Sequence, residues 1–165
     1  MIRRAVNSDS ARIAEIHIFG WRSAYRGIVS DEYLFTKILV SERIESFIQN
    51  NESEIHEIYV YEEEGIIKGF MKIGNCRNED KVKAFELWGM YIEPLMENQG
   101  IGRKLLSYCE NIAKTRGKNE NVLWVFKDNI EARGFYEKMG YRTDGKEELM
   151  EKFNALEVRY IKILN

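Results

Sequence analysis

The chain reads as one mixed α/β (α+β) domain, and three observations predict it. Stretches with apolar residues at helical spacing alternate with short β-branched or apolar runs, so helices and strands interleave. A strand, helix, strand unit over residues 84–126 favours a right-handed crossover with parallel pairing in the sheet centre, and hairpins on either side of it add antiparallel neighbours. At 165 residues and 44% apolar content, one domain over residues 1–165 buries roughly two-thirds of its unfolded surface, and a second is not expected.

The elements follow in order. A short strand near Ile2 to Ala5 precedes a helix that Asn7 or Ser8 can cap, with Ile13, Ile16 and Gly20 on one side, running toward Trp21 and Tyr25 and ending by Gly27. A second helical stretch starts around Ser30 to Glu32 and carries Leu34, Ile38, Ile44, Phe47 and Ile48, with a break or new cap at Ser41-Glu42. Strands at Glu57 to Tyr61 and Ile66 to Ile73 bracket Glu62-Glu63-Glu64-Gly65, a hairpin with its acidic tip in water. Residues 75–83 are a polar turn. A strongly apolar strand, Ala84 to Glu93, leads through a glycine turn into a helix with Ile101, Leu105, Cys109, Ile112 and Ala113 on one face, which puts Cys109 in the core. Asn121 to Phe126 is a buried strand, Ile130 to Met139 a short helix stopped by Gly140, and Tyr141 and Leu156 to Leu164 close the sheet.

Composition narrows the function classes. Lys+Arg of 25 against Asp+Glu of 27 gives a net charge of -2, too balanced for bulk attraction to nucleic acid or to a membrane surface. No apolar run approaches the ~20 residues of a membrane span. Cys76 and Cys109 match no metal-ligand spacing, and the first residues lack an apolar export core, so a reduced, cytoplasmic protein is expected. His17 and His56 are isolated, and no metal is implied.

Glu97-Asn98-Gln99-Gly100-Ile101-Gly102 joins the apolar strand to the helix that begins Arg103-Lys104. Glycine there lets the main chain approach an anion closely and take φ > 0, and the helix N-terminus adds about half a positive charge, so a phosphate-bearing ligand is expected. A Walker loop is excluded because Lys-Ser/Thr does not follow Gly102, and the dinucleotide fingerprint fails because Leu105 replaces its third glycine. Gly89 inside the apolar strand suggests a bulge that would bend it away from the strand at Asn121 to Phe126 and open a slot. Glu86, in the same strand, is costly as a carboxylate unless solvated, paired or used. It is a candidate base, since deprotonating an amine of pKa near 10.4 costs about 4 kcal/mol at neutral pH. Tyr136 is either a core aromatic or, projecting away from Phe135 and Met139, a general acid. Asn129 is placed to cap the following helix.

Two ordered motifs carry a resemblance. Residues 97–102 and the segment Asn129-Ile130-Glu131-Ala132-Arg133-Gly134-Phe135-Tyr136-Glu137-Lys138-Met139-Gly140-Tyr141 resemble the pyrophosphate loop and the Asn-x-x-Ala-x-x-Phe-Tyr-x-x-x-Gly-Phe/Tyr segment of the GNAT family of acetyl-CoA-dependent N-acetyltransferases. The likeness is close from Ala84 to Tyr141, and Gly20 to Gly27 resembles a bacterial subset that includes polyamine acetyltransferases. It implies an acyl-CoA N-acyltransferase fold, with a mostly antiparallel central sheet splayed between its fourth and fifth strands and flanked by helices. It also implies transfer of an acetyl group from acetyl-CoA to a primary amine in a ternary complex.

Carried onto this chain, the resemblance makes Tyr136 the acid for the departing thiolate and Glu86 the base. The pantetheine arm would lie along Met90, Tyr91 and Ile92. Coenzyme A would be held by Glu97, Asn98, Gln99, Gly100, Ile101, Gly102, Arg103 and Lys104, with further contacts from Asn129 and Tyr136. Glu97 stands where the family has Gln or Arg. It is expected to turn into solvent, with Arg103 and Lys104 offsetting its charge. A noncatalytic acyl-CoA-binding module is the alternative, and an exposed strand or the C-terminal one offers a route to a homodimer.

Overall fold

The computed structural model describes residues 1–51 and 55–165, with residues 50 and 51 as backbone only. Seven strands form one sheet in the order β1-β2-β3-β4-β5-β7-β6. They are β1 (Ile2–Arg4), β2 (His56–Glu63), β3 (Ile66–Asn75), β4 (Phe85–Ile92), β5 (Glu120–Phe126), β6 (Arg142–Met150) and β7 (Ala155–Ile163). Four helices flank it: α1 (Ser10–Ala24), α2 (Val40–Asn51), α3 (Ile101–Thr115) and α4 (Ile130–Lys138). All neighbours are antiparallel except β4 and β5, which the crossover helix α3 joins in parallel. The mixed, mostly antiparallel sheet expected from the sequence is therefore present.

Local chemistry explains most boundaries. Glu64 and Gly65 both have positive φ, 54° and 74°, as the two-residue turn between β2 and β3 requires. α1 is not capped by Asn7 or Ser8. A 3₁₀ turn over Asn7–Asp9 precedes it, and the Asp9 carboxylate instead accepts from the Val6 N–H and from Arg3. The second helical stretch divides at Ile38, between a π-helical turn over Tyr33–Lys37 and α2, slightly before the expected Ser41-Glu42. β6 runs nine residues where only Tyr141 was expected to start a strand. It is an edge strand exposed along almost its whole length, so no apolar alternation marks it.

The sheet buries both faces. Against α3 and α4 it packs Met71, Phe85, Leu87, Leu123 and Tyr160 with Leu105 and Cys109, and against α1 it packs Ile58, Val60 and Phe70 with Ile13 and Ile16. A third cluster, Ile18, Val29, Leu34, Ile38, Phe126 and Ala155, fixes the end of α1 over the ends of β5 and β7.

The pairing of β4 positions the site. On its β3 side the register slips between Lys72↔Gly89 and Ile73↔Leu87, so one extra residue of β4 is left unpaired at Trp88. The bulge reverses the alternation: Phe85 and Leu87 face α3 before it, Met90 and Ile92 after it. Tyr91 is thereby turned to the α1 side. On its other side β4 pairs with β5 only over Phe85↔Asn121, Glu86↔Val122 and Leu87↔Leu123. Beyond Leu87 the two parallel strands diverge, and the main-chain groups of β4 that face β5 have no ladder partner there.

Candidate active site

The divergence opens a cavity of about 1410 Å³ that runs between β4 and β5. One end is a backbone cradle. Asn98 and Gly100 take left-handed φ of 61° and 79°, and a Cβ on Gly100 would meet nothing within 4 Å, so the glycine serves the turn's conformation rather than space. The first helical bond of α3 runs from the Lys104 N–H to the Gly100 carbonyl, 3.1 Å. The N–H groups of Ile101, Gly102 and Arg103 therefore have no partner within the helix, and these residues line the cavity at its positive end. Gly102 is needed for closeness: a Cβ there would stand 3.1 Å from Ile92 Cδ1 and 3.3 Å from Phe135 Cζ. These groups suit a pyrophosphate, since they supply main-chain donors that no titration removes.

Most of the expected cofactor residues line this cavity. Met90, Tyr91, Ile92, Glu97, Asn98, Gly100, Ile101, Gly102, Arg103, Asn129 and Tyr136 all line the cavity. Gln99 and Lys104 do not. The Gln99 amide lies 3.7 Å from Met96 Sδ, and the Lys104 ammonium donates to Tyr61 Oη at 2.9 Å. The reason is helical geometry: at ~100° per residue, position 104 points to the flank of α3 over β2 while 103 points to the cavity mouth. Arg103 shares the cavity lining with Glu97, whose carboxyl is raised by burial and by Glu131 nearby. Asn129 Oδ1 accepts from the Ala132 N–H at 3.2 Å, the expected cap of α4.

Tyr136 stands midway along the cavity, its ring 5.2 Å from Phe135 and 5.9 Å from Tyr141. Its hydroxyl has no hydrogen-bond partner among the described residues, and burial pushes the phenol well up, so it holds its proton at neutral pH. Beneath it, Asn121 donates to Tyr141 Oη at 3.0 Å, with Cys109 Sγ 3.4 Å away, locking the floor. Cys109 is fully buried and its thiol is pushed up to about 12, which removes it as a nucleophile.

The other end is built from side chains of distant elements. Trp21 of α1, Tyr25 just after it, Trp88 of β4, Trp124 of β5 and Phe153 wall it. Trp21 Nε1 donates to Tyr91 Oη at 3.1 Å, and Tyr25 bonds the same hydroxyl, so burial raises both phenols. Glu86 is 1% exposed and both of its oxygens are taken by Arg77, whose backbone N–H donates at 2.8 Å and whose guanidinium closes an ion pair. The sequence expectation for Glu86 as the base thus meets a carboxylate already engaged. Glu148 and Glu157, from β6 and β7, line the same end and were not expected from the sequence. Among the described residues no group of three His, Cys, Asp or Glu side chains is placed to hold a metal ion, and no helix is long and apolar enough to cross a membrane.

Residues 20–141 match the Acetyltransferase (GNAT) family. The chain belongs to that family. Membership makes this GNAT protein an acetyl-CoA-dependent N-acetyltransferase, with acetyl-CoA as cosubstrate. The chain is 28% identical over 157 residues to spermidine N(1)-acetyltransferase of Thermoplasma acidophilum, covering 92% of this chain and 95% of that one. Its fold overlays that of the PaiA N-acetyltransferase from the same organism, solved in complex with coenzyme A, with a TM-score of 0.79 at 22% identity, covering 96% of each chain. The structure of yncA from Salmonella typhimurium with its cofactor acetyl-CoA overlays at a TM-score of 0.74 and 20% identity, covering all of this chain and 94% of that one.

Proposed function

We propose that this GNAT protein moves the acetyl group directly to a primary amine of a small molecule or peptide, both substrates sharing the cavity. The observation that carries this reading is the continuity of that cavity: the cradle at residues 97–103, the unpaired edge of β4 and the far aromatic end line one space, with Tyr136 between them. Acetyl-CoA supplies an activated acyl carbon on a good thiolate leaving group. The cradle N–H groups hold the pyrophosphate, and the free main chain of Met90 to Ile92 aligns the arm and offers a donor to the thioester carbonyl, an effect worth on the order of 10²-fold in rate. As the C–N bond forms and the C–S bond breaks, Tyr136 gives its proton to the departing sulfur and recovers one from the nitrogen of the new amide. Glu86, held by Arg77, acts as a fixed charge beside the amine rather than as the group that first strips it. The spermidine named for the Thermoplasma relative is an amine of the class this end can hold.

Thiol release from acetyl-CoA, followed over a panel of polyamines, amino acids, peptides and aminoglycosides, tests the reading. Turnover with one or more amines is expected. Tight coenzyme A binding without turnover across the panel would leave a noncatalytic acyl-CoA-binding module.

A further inference from the structure

The acceptor end carries three carboxylates, and only one lacks a partner. Glu86 is closed off by Arg77, and Glu148 lies 3.6 Å from the Lys146 ammonium. Glu157, half-buried on the cavity wall, makes no hydrogen bond or ion pair with its side chain among the described residues. Its position is unfavourable for stability. In register it stands directly across from Glu148 on one side and from Phe126 on the other, and like charges facing each other across strands destabilise a sheet. A carboxylate kept in such a place without a cation is explained by a cation that arrives with the substrate.

Resting on the transfer reading above, we propose that Glu157 receives the acceptor's ammonium group and takes its first proton, and that the acceptor bears no carboxylate beside the reacting nitrogen. Geometry supports the first half: Glu157 shares its end of the cavity with Tyr25 and Tyr91, whose hydroxyls feel its charge, and with the aromatic wall, whose ring faces favour a cation. The groups that face it are Tyr25 at the end of α1, Arg77 from the β3–β4 connection, Glu86 and Tyr91 from β4 and Glu148 from β6. Burial, reinforced by Glu148 and Glu86 and opposed by Arg77, raises its carboxyl and so makes it a better proton acceptor. The proton balance is simple. The ammonium gives one proton to the Glu157 carboxylate, freeing the lone pair that attacks the acyl carbon, and Glu157 then returns that proton to water. The second half follows from charge: a carboxylate on the acceptor would face Glu148 and Glu157, while Arg77 is already committed to Glu86 and Arg26 to Asp31.

The test compares the full chain with Glu157→Gln and Glu157→Asp, using diaminobutane and L-alanine as acceptors. Loss of one charge-assisted contact should raise KM for diaminobutane about tenfold to a hundredfold in Glu157→Gln, with KM for acetyl-CoA unchanged. The acidic limb of its kcat/KM profile should flatten, Glu157→Asp should recover part of the loss, and wild type should use L-alanine at least about tenfold less well. The thermal midpoint of Glu157→Gln should equal or exceed that of wild type, because the clash with Glu148 is relieved. Wild-type KM and pH profile in Glu157→Gln, or preference for L-alanine, would overturn the inference while leaving acetyl transfer intact. Calorimetry of diaminobutane on the coenzyme A-loaded protein separates the two readings. Binding that requires Glu157 but no thiol release would remove the transfer reading alone, and no binding to wild type would remove this one.

Discussion

The two ends of the cavity are made in opposite ways. The cofactor end is contiguous in sequence and built from main-chain N–H groups and two glycines, so its chemistry is insensitive to most side-chain changes. The far end gathers side chains from α1, β4, β5, β6 and β7, and most of its contacts depend on which residue stands there. Under the proposed reading, a backbone cradle serves the cosubstrate while the far wall is free to change acceptor without disturbing it. Tyr136, between them, is the residue proposed to act on the reacting atoms.

Substitutions can break or sharpen that contrast. The largest effect is expected at the junction. Tyr136→Phe should lower kcat by about 10²-fold or more, the usual worth of a positioned acid, with the coenzyme A dissociation constant from calorimetry essentially unchanged. An unchanged kcat would remove Tyr136 from the chemistry.

Next is the cradle. Gly100 sits at φ +79° in open space, so Gly100→Val imposes strain of about 1–2 kcal/mol on the turn and should weaken coenzyme A by roughly tenfold without altering KM for the amine. A parallel loss at both substrates would mean the two ends are not independent.

A smaller gain is expected from Glu97→Gln. Removing a carboxylate near the pyrophosphate relieves repulsion of about 1 kcal/mol at most in a wet site, so coenzyme A should bind a few-fold tighter, less so at high salt. Weaker binding would show that Glu97 faces a donor rather than a phosphate.

The smallest effect at neutral pH concerns the wall behind Tyr91. His17 is buried against it, ring centroids 4.7 Å apart, with Nδ1 unpartnered among the described residues and its pKa pushed down from 6.5 to about 3 by burial. Between those values the unfolded chain binds a proton that the folded chain does not. Stability is therefore fully present above pH 6.5 and is lost as pH falls toward 3, by at most about 1.4 kcal/mol per pH unit. His17→Leu should flatten that acid limb in urea melts and leave stability near pH 7.5 little changed. An equal slope in both proteins would assign the acid sensitivity elsewhere.

The same contrast explains what the sequence alone made legible. The glycine turn, the fall of Cys109 into the core and the bulge at Gly89 each follow from a local rule acting on adjacent residues, and the structure contains all three. Within the loop, Gln99 and Lys104 share the motif but do not line the cavity, because one turn of backbone and the pitch of α3 carry their side chains elsewhere. The far wall was not legible because it is assembled by register. Glu148 and Glu157 are neighbours only because β6 pairs with β7, and β6 has no apolar period to announce it. Glu157 left one faint signal, a charged residue beside Val158 in an otherwise closing strand. Nor could the sequence foresee that Arg77, in a polar turn, would fold back onto Glu86.

The most direct measurement of the central claim follows backbone amide resonances while coenzyme A is titrated into the protein. The account predicts the largest shifts at the amides of residues 101–103 and along the free edge of β4 at residues 89–92, with β1 and the β2–β3 turn still. Shifts centred away from the turn before α3, with residues 101–103 unmoved, would contradict it.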